Sequence, residues 1–145
     1  MKRTHICLIV KDIDASVTFY TSLFGEPPTI LKPDYAKWQL EDPKLNFSID
    51  TNGDEPGLDH LGIELESAER VTAALEDYRQ SGIDVFGEAQ IVCGYHRTDK
   101  GFITDPQAVL WETFFSHEIT SHYGSLNEEV TAEAEKRRQE ITDSA

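Results

Sequence analysis

Hydrophobic and polar residues alternate in two segments of the chain, and each segment is typical of a β-strand. Thr4–Val10 places aliphatic side chains on one face and His5 and Cys7 on the other. Asp59–Leu65 repeats this pattern, with His60 opposite its aliphatic residues. Alternate side chains of a strand point to opposite faces of a sheet. The two segments therefore predict related strands that each carry a histidine on the face away from the aliphatic side chains.

A helix pattern follows each of these strands. Asp12 is the predicted N-cap of the first helix, which has apolar residues every three or four positions and ends at Gly25. Ser67 is the predicted N-cap of the second, which ends at Gly82. The same order of strand and helix in both halves indicates an internal duplication.

Short β-like pieces complete each half and are separated by residues that favour turns. They lie at 29–31, 35–40, 45–49, 84–88, 91–97, 101–104 and 109–115, with Asp105-Pro106 as one predicted turn. The sequence thus predicts an α+β protein with two βαβββ repeats, at about 3–51 and 57–116, within one domain at 1–116.

Residues 117–145 are predicted to form a charged C-terminal helical extension, with its helix running from Asn127 to about Ile141. Few of its positions are apolar, and Val130 and Ala134 are among them. We consider two interpretations, a solvated appendage and a dimer contact, and the low apolar content favours the solvated appendage.

The charge of the chain excludes several classes of partner. Its 145 residues include 27 acidic and 13 basic side chains, for a net charge of −14. A surface of this kind repels phosphate backbones and anionic lipid head groups, so we expect neither nucleic acid nor membrane as a partner. The longest apolar run, Ile6–Val10, is too short to span a membrane. With only two cysteines, a reducing cytoplasm and free thiols are expected.

Three side chains are candidate metal ligands. His5 and His60 occupy matching positions of the duplicated unit, and Glu112 lies in the almost wholly apolar strand Val109–Phe115. A carboxylate is costly to bury unless it is paired or bound to a metal. Two imidazoles and one carboxylate form a set that suits Fe(II) or another first-row divalent ion and leaves positions open for substrate. Alternatively, the histidines pack in the core and Glu112 faces solvent or is bonded to a backbone amide.

The same residues give the chain a family resemblance. The paired βαβββ units, His5, the segment Leu58–Gly62 and the segment Thr104–Glu112 resemble the vicinal oxygen chelate superfamily, which includes glyoxalase I, bleomycin and fosfomycin resistance proteins and extradiol dioxygenases. The resemblance covers about residues 3–116. It implies a curved mixed sheet around a metal-binding cleft, with the metal held by His5, His60 and Glu112. It also implies a small-molecule substrate and a homodimer.

Within that superfamily, the chain resembles the cadmium-induced and arsenic-inducible branch. The similar segments are Asp34–Lys37, Leu40–Asn46 and Gly57–Gly62, and they continue through Cys93 to Asp99-Lys100. The branch includes Fe(II)-dependent lyases that cleave carbon–arsenic bonds of trivalent organoarsenicals with dioxygen. Those lyases hold arsenic with two adjacent cysteines, whereas Gly94 follows Cys93 in this chain.

Further residues are assigned as candidate participants in the chemistry. Cys93 is the predicted substrate-binding thiol, and Cys7, on the face of His5, is a candidate for the second thiol or else a small buried hydrophobe. Tyr95 and His96 are candidates to move protons, and Lys100 to hold an anionic group of the substrate.

Several alternative functions stay open from the sequence. One is a protein that sequesters a drug or a toxic metal such as cadmium without turnover, and another is a metal-free relative. A glyoxalase-type lyase is a third alternative, but it requires a fourth ligand from the last strand of the first repeat. The strand Leu45–Asp50 offers no His, Gln or Glu for that position.

Overall fold

The computed structural model describes residues 2–124 and 128–144, and for residues 89–98 and 117–124 it describes the backbone alone. The elements are β1 (Arg3–Ile9), α1 (Ile13–Phe24), β2 (Ile30–Lys32), β3 (Tyr35–Glu41), β4 (Lys44–Asp50), β5 (Gly57–Glu64), α2 (Ala68–Gln80), β6 (Phe86–Thr104), β7 (Leu110–Gly124) and α3 (Glu128–Ser144). Parallel and antiparallel strand pairs both occur, which confirms the predicted α+β class with a mixed sheet and a C-terminal helix.

The chain divides into two compact units, of which one is Arg3–Leu61. This first unit has the predicted order of strand, helix and three strands, followed by most of β5. Its strands are arranged in the order β2-β3-β4-β1-β5. The strand β1 runs parallel to β4, whereas β3 is antiparallel to both β2 and β4.

The helix α1 begins and ends where the sequence predicts. The Asp12 side chain accepts a hydrogen bond of 3.0 Å from the Ala15 amide, which satisfies a free donor of the first turn. Gly25 ends the helix with a φ of 76°, a conformation that glycine adopts without steric cost. The partly buried residues of α1 pack on an aromatic core that contains Trp38 and Phe47.

The strand β4 separates the core of this unit from a polar face. Phe47 and Ile49 point into the core, and Asn46 and Ser48 alternate with them on the opposite face. Both polar residues are buried, with exposed fractions of 1% and 2%. The register pairs Asn46 with His5 and Ser48 with Cys7 of β1. The polar face of β4 is therefore continuous with the face of β1 that carries the histidine.

The second unit consists of residues 1–2 and 62–145 and contains the repeated helix. The Ser67 hydroxyl accepts a hydrogen bond from the Arg70 amide, as expected for an N-cap, and Gly82 follows the helix with a φ of 83°. Val71 and Leu75 of α2 are buried and pack with Leu65.

The strands of the second unit differ from the short pieces that the sequence predicts. One long strand, β6, replaces the separate pieces at 84–88, 91–97 and 101–104, and it pairs antiparallel with β7. Because β7 continues to Gly124, β6 has a hydrogen-bonding partner along much of its length. The register between β6 and β7 is irregular between Gly94 and His96 and between Arg97 and Thr98. The predicted turn is present, with Asp105 accepting from the Gln107 and Val109 amides.

The interpretation of the C-terminal helix as a solvated appendage is wrong. Val130 and Ala134 of α3 are buried, with exposed fractions of 0% and 1%, and they pack with Phe102 and Leu110. Val130 and Ala134 are sufficient because they share one face of the helix, while most of the other positions face solvent. Phe86 covers the edge of this cluster.

Candidate metal centre

His5 and His60 are brought together within the first unit. His5 lies in β1 and His60 in β5, and their exposed fractions are only 7% and 4%. Their Nε2 atoms are 3.1 Å apart, and the ring centroids are separated by 5.0 Å. The two histidines that the sequence places at matching positions of the repeat therefore meet tip to tip in a buried environment.

The partners of the two Nδ1 atoms determine which ring nitrogens carry protons. His5 Nδ1 lies 3.0 Å from both the backbone and the side-chain oxygen of Asn46, and His60 Nδ1 lies 2.7 Å from a carboxylate oxygen of Asp59. Carbonyl and carboxylate oxygens accept hydrogen bonds, so both Nδ1 atoms donate. In neutral imidazoles, each Nε2 then presents an electron pair toward the other ring.

Two electron pairs that face each other in a buried site repel unless a cation or a shared proton lies between or beside them. The arrangement fits a metal ion, because metal-binding histidines typically donate their second ring nitrogen to a carboxylate or carbonyl. Two nitrogens that each bind one ion at about 2.1 Å are about 3 Å apart when the ligands are at right angles. The separation of 3.1 Å between the Nε2 atoms agrees with that distance.

Cys7 lies beside the histidine pair. It is buried, follows His5 on the same face of β1, and pairs with Ser48 of β4. The ligand atoms of Cys7, Asp59 and His60 all lie within 4.8 Å of one another. The sequence-based placement of Cys7 on the face of His5 is confirmed, but its predicted contact with substrate stays a prediction.

Glu112 is buried in the second unit, where it forms an ion pair. It lies in β7 with an exposed fraction of 4%, and its Oε2 accepts a hydrogen bond of 2.7 Å from Lys100 Nζ of β6. The Lys100 amine also lies 5.5 Å from the centre of the Phe102 ring. The alternative in which Glu112 faces solvent is therefore wrong. Lys100 is buried against Glu112, and its predicted contact with an anionic substrate group stays a prediction.

The other candidate residues lie where only the backbone is described. Cys93, Tyr95 and His96 belong to β6, and their side chains lie outside the described part of the chain. Their predicted roles in substrate binding and proton transfer stay predictions.

Sequence reasoning missed the two residues that orient the histidines. Asp59 directly precedes His60, so a carboxylate next to a candidate ligand was an available signal. Asn46 is 41 residues from His5 in the chain, and only the pairing of β1 with β4 places them side by side. The position of Asn46 between apolar neighbours of a strand indicated a special role without indicating its partner.

Residues 2–113 match the model of the Glyoxalase/Bleomycin resistance protein/Dioxygenase superfamily. The chain belongs to this superfamily. The match covers the first predicted repeat and nearly all of the second, ending just after Glu112, and it confirms the family resemblance noted in the sequence.

Relatives within the superfamily have names that refer to arsenic or cadmium. The chain is 40% identical over 121 residues to a trivalent organoarsenical cleaving enzyme of Bacillus sp. (strain MD1), covering 80% of this chain and 74% of the relative. It is 34% identical over 116 residues to an enzyme of the same name from Thermomonospora curvata, covering 79% and 77%. It is 32% identical over 126 residues to the cadmium-induced protein CadI of Mycobacterium tuberculosis, covering 86% and 83%.

Solved structures show that the superfamily fold is shared more widely. The Mn(II)-bound glyoxalase from Novosphingobium aromaticivorans superimposes with a TM-score of 0.61 at 19% identity, covering 88% of this chain and 44% of that protein. Homoprotocatechuate 2,3-dioxygenase from Arthrobacter globiformis superimposes with a TM-score of 0.61 at 17% identity, covering 90% and 40%. At these identities the likeness establishes the fold alone. None of the helices that the structure describes is both long and apolar enough to cross a membrane.

Proposed function

We propose that this superfamily member is an Fe(II)-dependent enzyme that cleaves the carbon–arsenic bond of trivalent organoarsenicals. The observation that carries the proposal is the buried pair of histidines, whose Nε2 electron pairs face each other at 3.1 Å. Such a pair is suited to binding a metal ion. The substrate class is supported by the relatives that are named trivalent organoarsenical cleaving enzymes.

Glu112 is the proposed third ligand beside His5 and His60. It is a buried carboxylate in an otherwise apolar part of β7, and Lys100 holds one of its oxygens. Two imidazoles and a carboxylate favour a first-row divalent ion over a soft one. When bound, Fe(II) would supply open coordination positions and the redox chemistry with dioxygen that oxidative bond cleavage requires.

The chain's own residues have three further roles in this proposal. Asn46 and Asp59 keep the Nδ1 atoms of the histidines protonated, so that the Nε2 electron pairs stay available. Cys93 binds the trivalent arsenic as a thiolate, and Cys7 supplies the second thiol that Gly94 does not. Tyr95 and His96 move protons to and from the substrate.

The chain is further proposed to be cytoplasmic and homodimeric. Light scattering on the purified protein would test for the dimer.

The test is turnover by iron-loaded protein. Protein reconstituted with Fe(II) without oxygen is mixed with a trivalent aryl arsenical and then with dioxygen, and arsenite release and oxygen uptake are measured. We expect catalytic release of arsenite, and loss of both bound iron and activity in His60→Ala and Glu112→Gln. Glu55→Gln, which changes an exposed carboxylate, is the matched control.

A second candidate function is sequestration of a soft ligand without turnover. It is favoured by the position of Cys7 next to Asp59 and His60, and by the single cysteine at position 93. Stoichiometric, thiol-dependent binding of the arsenical with no arsenite release would support this function and contradict the lyase. The glyoxalase alternative requires a fourth metal ligand from β4. It is not favoured, because β4 has no His, Gln or Glu and the side chain of its Asn46 is hydrogen-bonded to His5.

A further inference from the structure

A second set of potential metal ligands shares His60 with the histidine pair. It consists of the Cys7 thiol, an Asp59 carboxylate oxygen and a ring nitrogen of His60, and these atoms lie within 4.8 Å of one another. Cys7 and His60 are buried, whereas the side chain of Asp59 is 32% exposed. Asp59 is thus the member of the set that solvent reaches.

We propose that Cys7, Asp59 and His60 bind a thiophilic divalent cation of the Zn²⁺ and Cd²⁺ class, and that this ion and an ion bound at the Nε2 pair exclude each other. The inference goes beyond the proposed arsenical chemistry, and it rests on that proposal only in assigning His60 to the first metal set. A soft metal bound by Cys7, Asp59 and His60 would therefore switch off the enzyme.

The two ligand sets differ in chemical softness. Thiolate, imidazole and carboxylate together suit Zn²⁺ and its heavier congener Cd²⁺. The set of His5, His60 and Glu112 contains no sulfur and suits harder first-row ions. When the soft ion binds, the Cys7 thiol releases its proton to solvent as the metal–sulfur bond forms, so one proton is released for each ion bound.

The exclusion follows from the single electron pair of a neutral imidazole. If the soft ion binds Nε2 of His60, it occupies the electron pair that faces His5. If it binds Nδ1, the proton now held against Asp59 moves to Nε2, which can then donate a hydrogen bond to His5 Nε2 at 3.1 Å. In both cases His60 no longer offers an electron pair to an ion bound by His5 and Glu112.

The surrounding charge favours entry of a cation. Burial raises the pKa of Asp50, and the negative charges of Asp59 and Asp34 raise it further. These three carboxylates therefore lie close enough to interact. A cluster of negative charge beside the exposed edge of Asp59 attracts divalent cations toward the ligand set.

The first experiment determines whether sulfur binds the metal. In Cys93→Ser protein, Cys7 is the only cysteine, because the chain has two. Metal-free Cys93→Ser protein is loaded with one equivalent of Cd²⁺, and its ligands are measured by X-ray absorption. We expect one sulfur ligand and at least about tenfold weaker Cd²⁺ binding in Cys7→Ser/Cys93→Ser. A spectrum without sulfur from folded Cys93→Ser protein overturns the proposal.

The second experiment tests the exclusion with Mn²⁺, whose free form is measured by electron paramagnetic resonance. One equivalent of Cd²⁺ added to Mn²⁺-loaded Cys93→Ser protein should release the Mn²⁺. Release should require about tenfold more Cd²⁺ in Cys7→Ser/Cys93→Ser, because Cys7 belongs to the second set alone, but not in the matched control Asp54→Asn/Cys93→Ser, which changes an exposed aspartate. Simultaneous retention of both ions overturns the exclusion.

The two experiments also separate this inference from the proposed function. Failure of Mn²⁺ to bind counts against the histidine metal set and overturns the exclusion, whereas the sulfur ligand of Cd²⁺ decides the second site by itself. Absence of arsenite release from iron-loaded protein counts against the lyase alone.

Discussion

At the scale of single residues, the histidine pair depends on two different hydrogen-bond acceptors. Asp59 offers His60 a single carboxylate contact at 2.7 Å. Asn46 offers His5 two acceptors, its backbone carbonyl and its side-chain oxygen, each at 3.0 Å. Nδ1 of His5 keeps a backbone acceptor when the Asn46 side chain is removed, whereas Nδ1 of His60 loses the carboxylate acceptor when Asp59 is removed, so the two outer contacts should respond differently to mutation.

We predict that Asp59→Ala weakens binding of Fe(II) by about 10–100-fold, the usual effect of removing an outer partner of a metal-binding histidine. Asn46→Ala should have a much smaller effect, because the backbone carbonyl still accepts from His5. Anaerobic calorimetric titration measures both, with Asp54→Ala as the control. Equal losses in Asp59→Ala and Asn46→Ala would contradict this account.

The ion pair between Lys100 and Glu112 gives a second prediction at this scale. Both side chains are buried, with exposed fractions of 1% and 4%, so removal of the amine takes away the positive charge that pairs with the buried carboxylate. Lys100→Met should lower the free energy of unfolding of the metal-free protein by about 3–5 kcal/mol. Urea denaturation measures this change.

The double variant Lys100→Met/Glu112→Leu provides the control for that prediction. It removes both charges and should recover most of the lost stability, because a buried ion pair and an apolar pair of similar size are often nearly equivalent. If the double variant is as unstable as Lys100→Met, the loss arises from packing and not from the charge.

At the scale of elements, the second unit depends on how closely α3 approaches β6. Gly87 of β6 has a φ of 61°, and a Cβ atom built there would lie 2.4 Å from a methyl group of Val130. Arg137 of α3 adds polar contacts with Thr104 and Asp84 and lies over the Phe86 ring. The helix is therefore attached to the strand by both apolar and polar contacts.

We predict that Gly87→Ala destabilises the protein more than Gly82→Ala does. Both glycines have positive φ, but a Cβ atom at Gly82 has nothing within 4 Å. Gly82→Ala should thus cost only the backbone strain, about 1–2 kcal/mol, and Gly87→Ala about 1–3 kcal/mol more from the clash. Thermal unfolding measures the difference. The clash should disappear in Gly87→Ala/Val130→Ala, so the double variant should lose less stability than the two single variants together. A loss equal to their sum would contradict the clash.

At the scale of the whole molecule, the charge of −14 is the dominant electrostatic feature. Like charges on a folded surface repel, and salt screens this repulsion within a Debye length of about 10 Å at 0.1 M. The ion pairs of Arg3 with Glu41 and of Arg79 with Glu88 act in the opposite direction, since salt weakens them. Exposed pairs of this kind each contribute little.

We therefore predict that added salt stabilises the protein at neutral pH. A rise in potassium chloride from low to moderate concentration should increase the melting temperature by about 2–4 °C, which corresponds to roughly 1 kcal/mol of relieved repulsion. Near the isoelectric point of about 4.6 the net charge is small and the salt response should shrink. A melting temperature that falls with salt at neutral pH would show that the ion pairs outweigh the repulsion.

Much of the fold could be predicted because its signals are local. The alternation around His5, the caps Asp12 and Ser67 and the turn at Asp105 each act within a few residues, and each was confirmed. The long strand β6 could not be predicted, since its continuity depends on the length of its partner β7. The burial of α3 was missed because two apolar residues on a charged helix indicate little until a complementary surface is known.

The sequence by itself determined the family, the strands that carry His5 and His60, and the types of side chain available for a metal. Only the tertiary structure decided that the two Nε2 atoms meet, that Asn46 and Asp59 hold the opposite nitrogens, and that Lys100 neutralises Glu112. The physical reason is that a hydrogen bond or a metal contact requires atoms to be placed within a few tenths of an ångström. Periodicity in a sequence specifies the face of a strand, whereas the pairing of distant strands sets that distance.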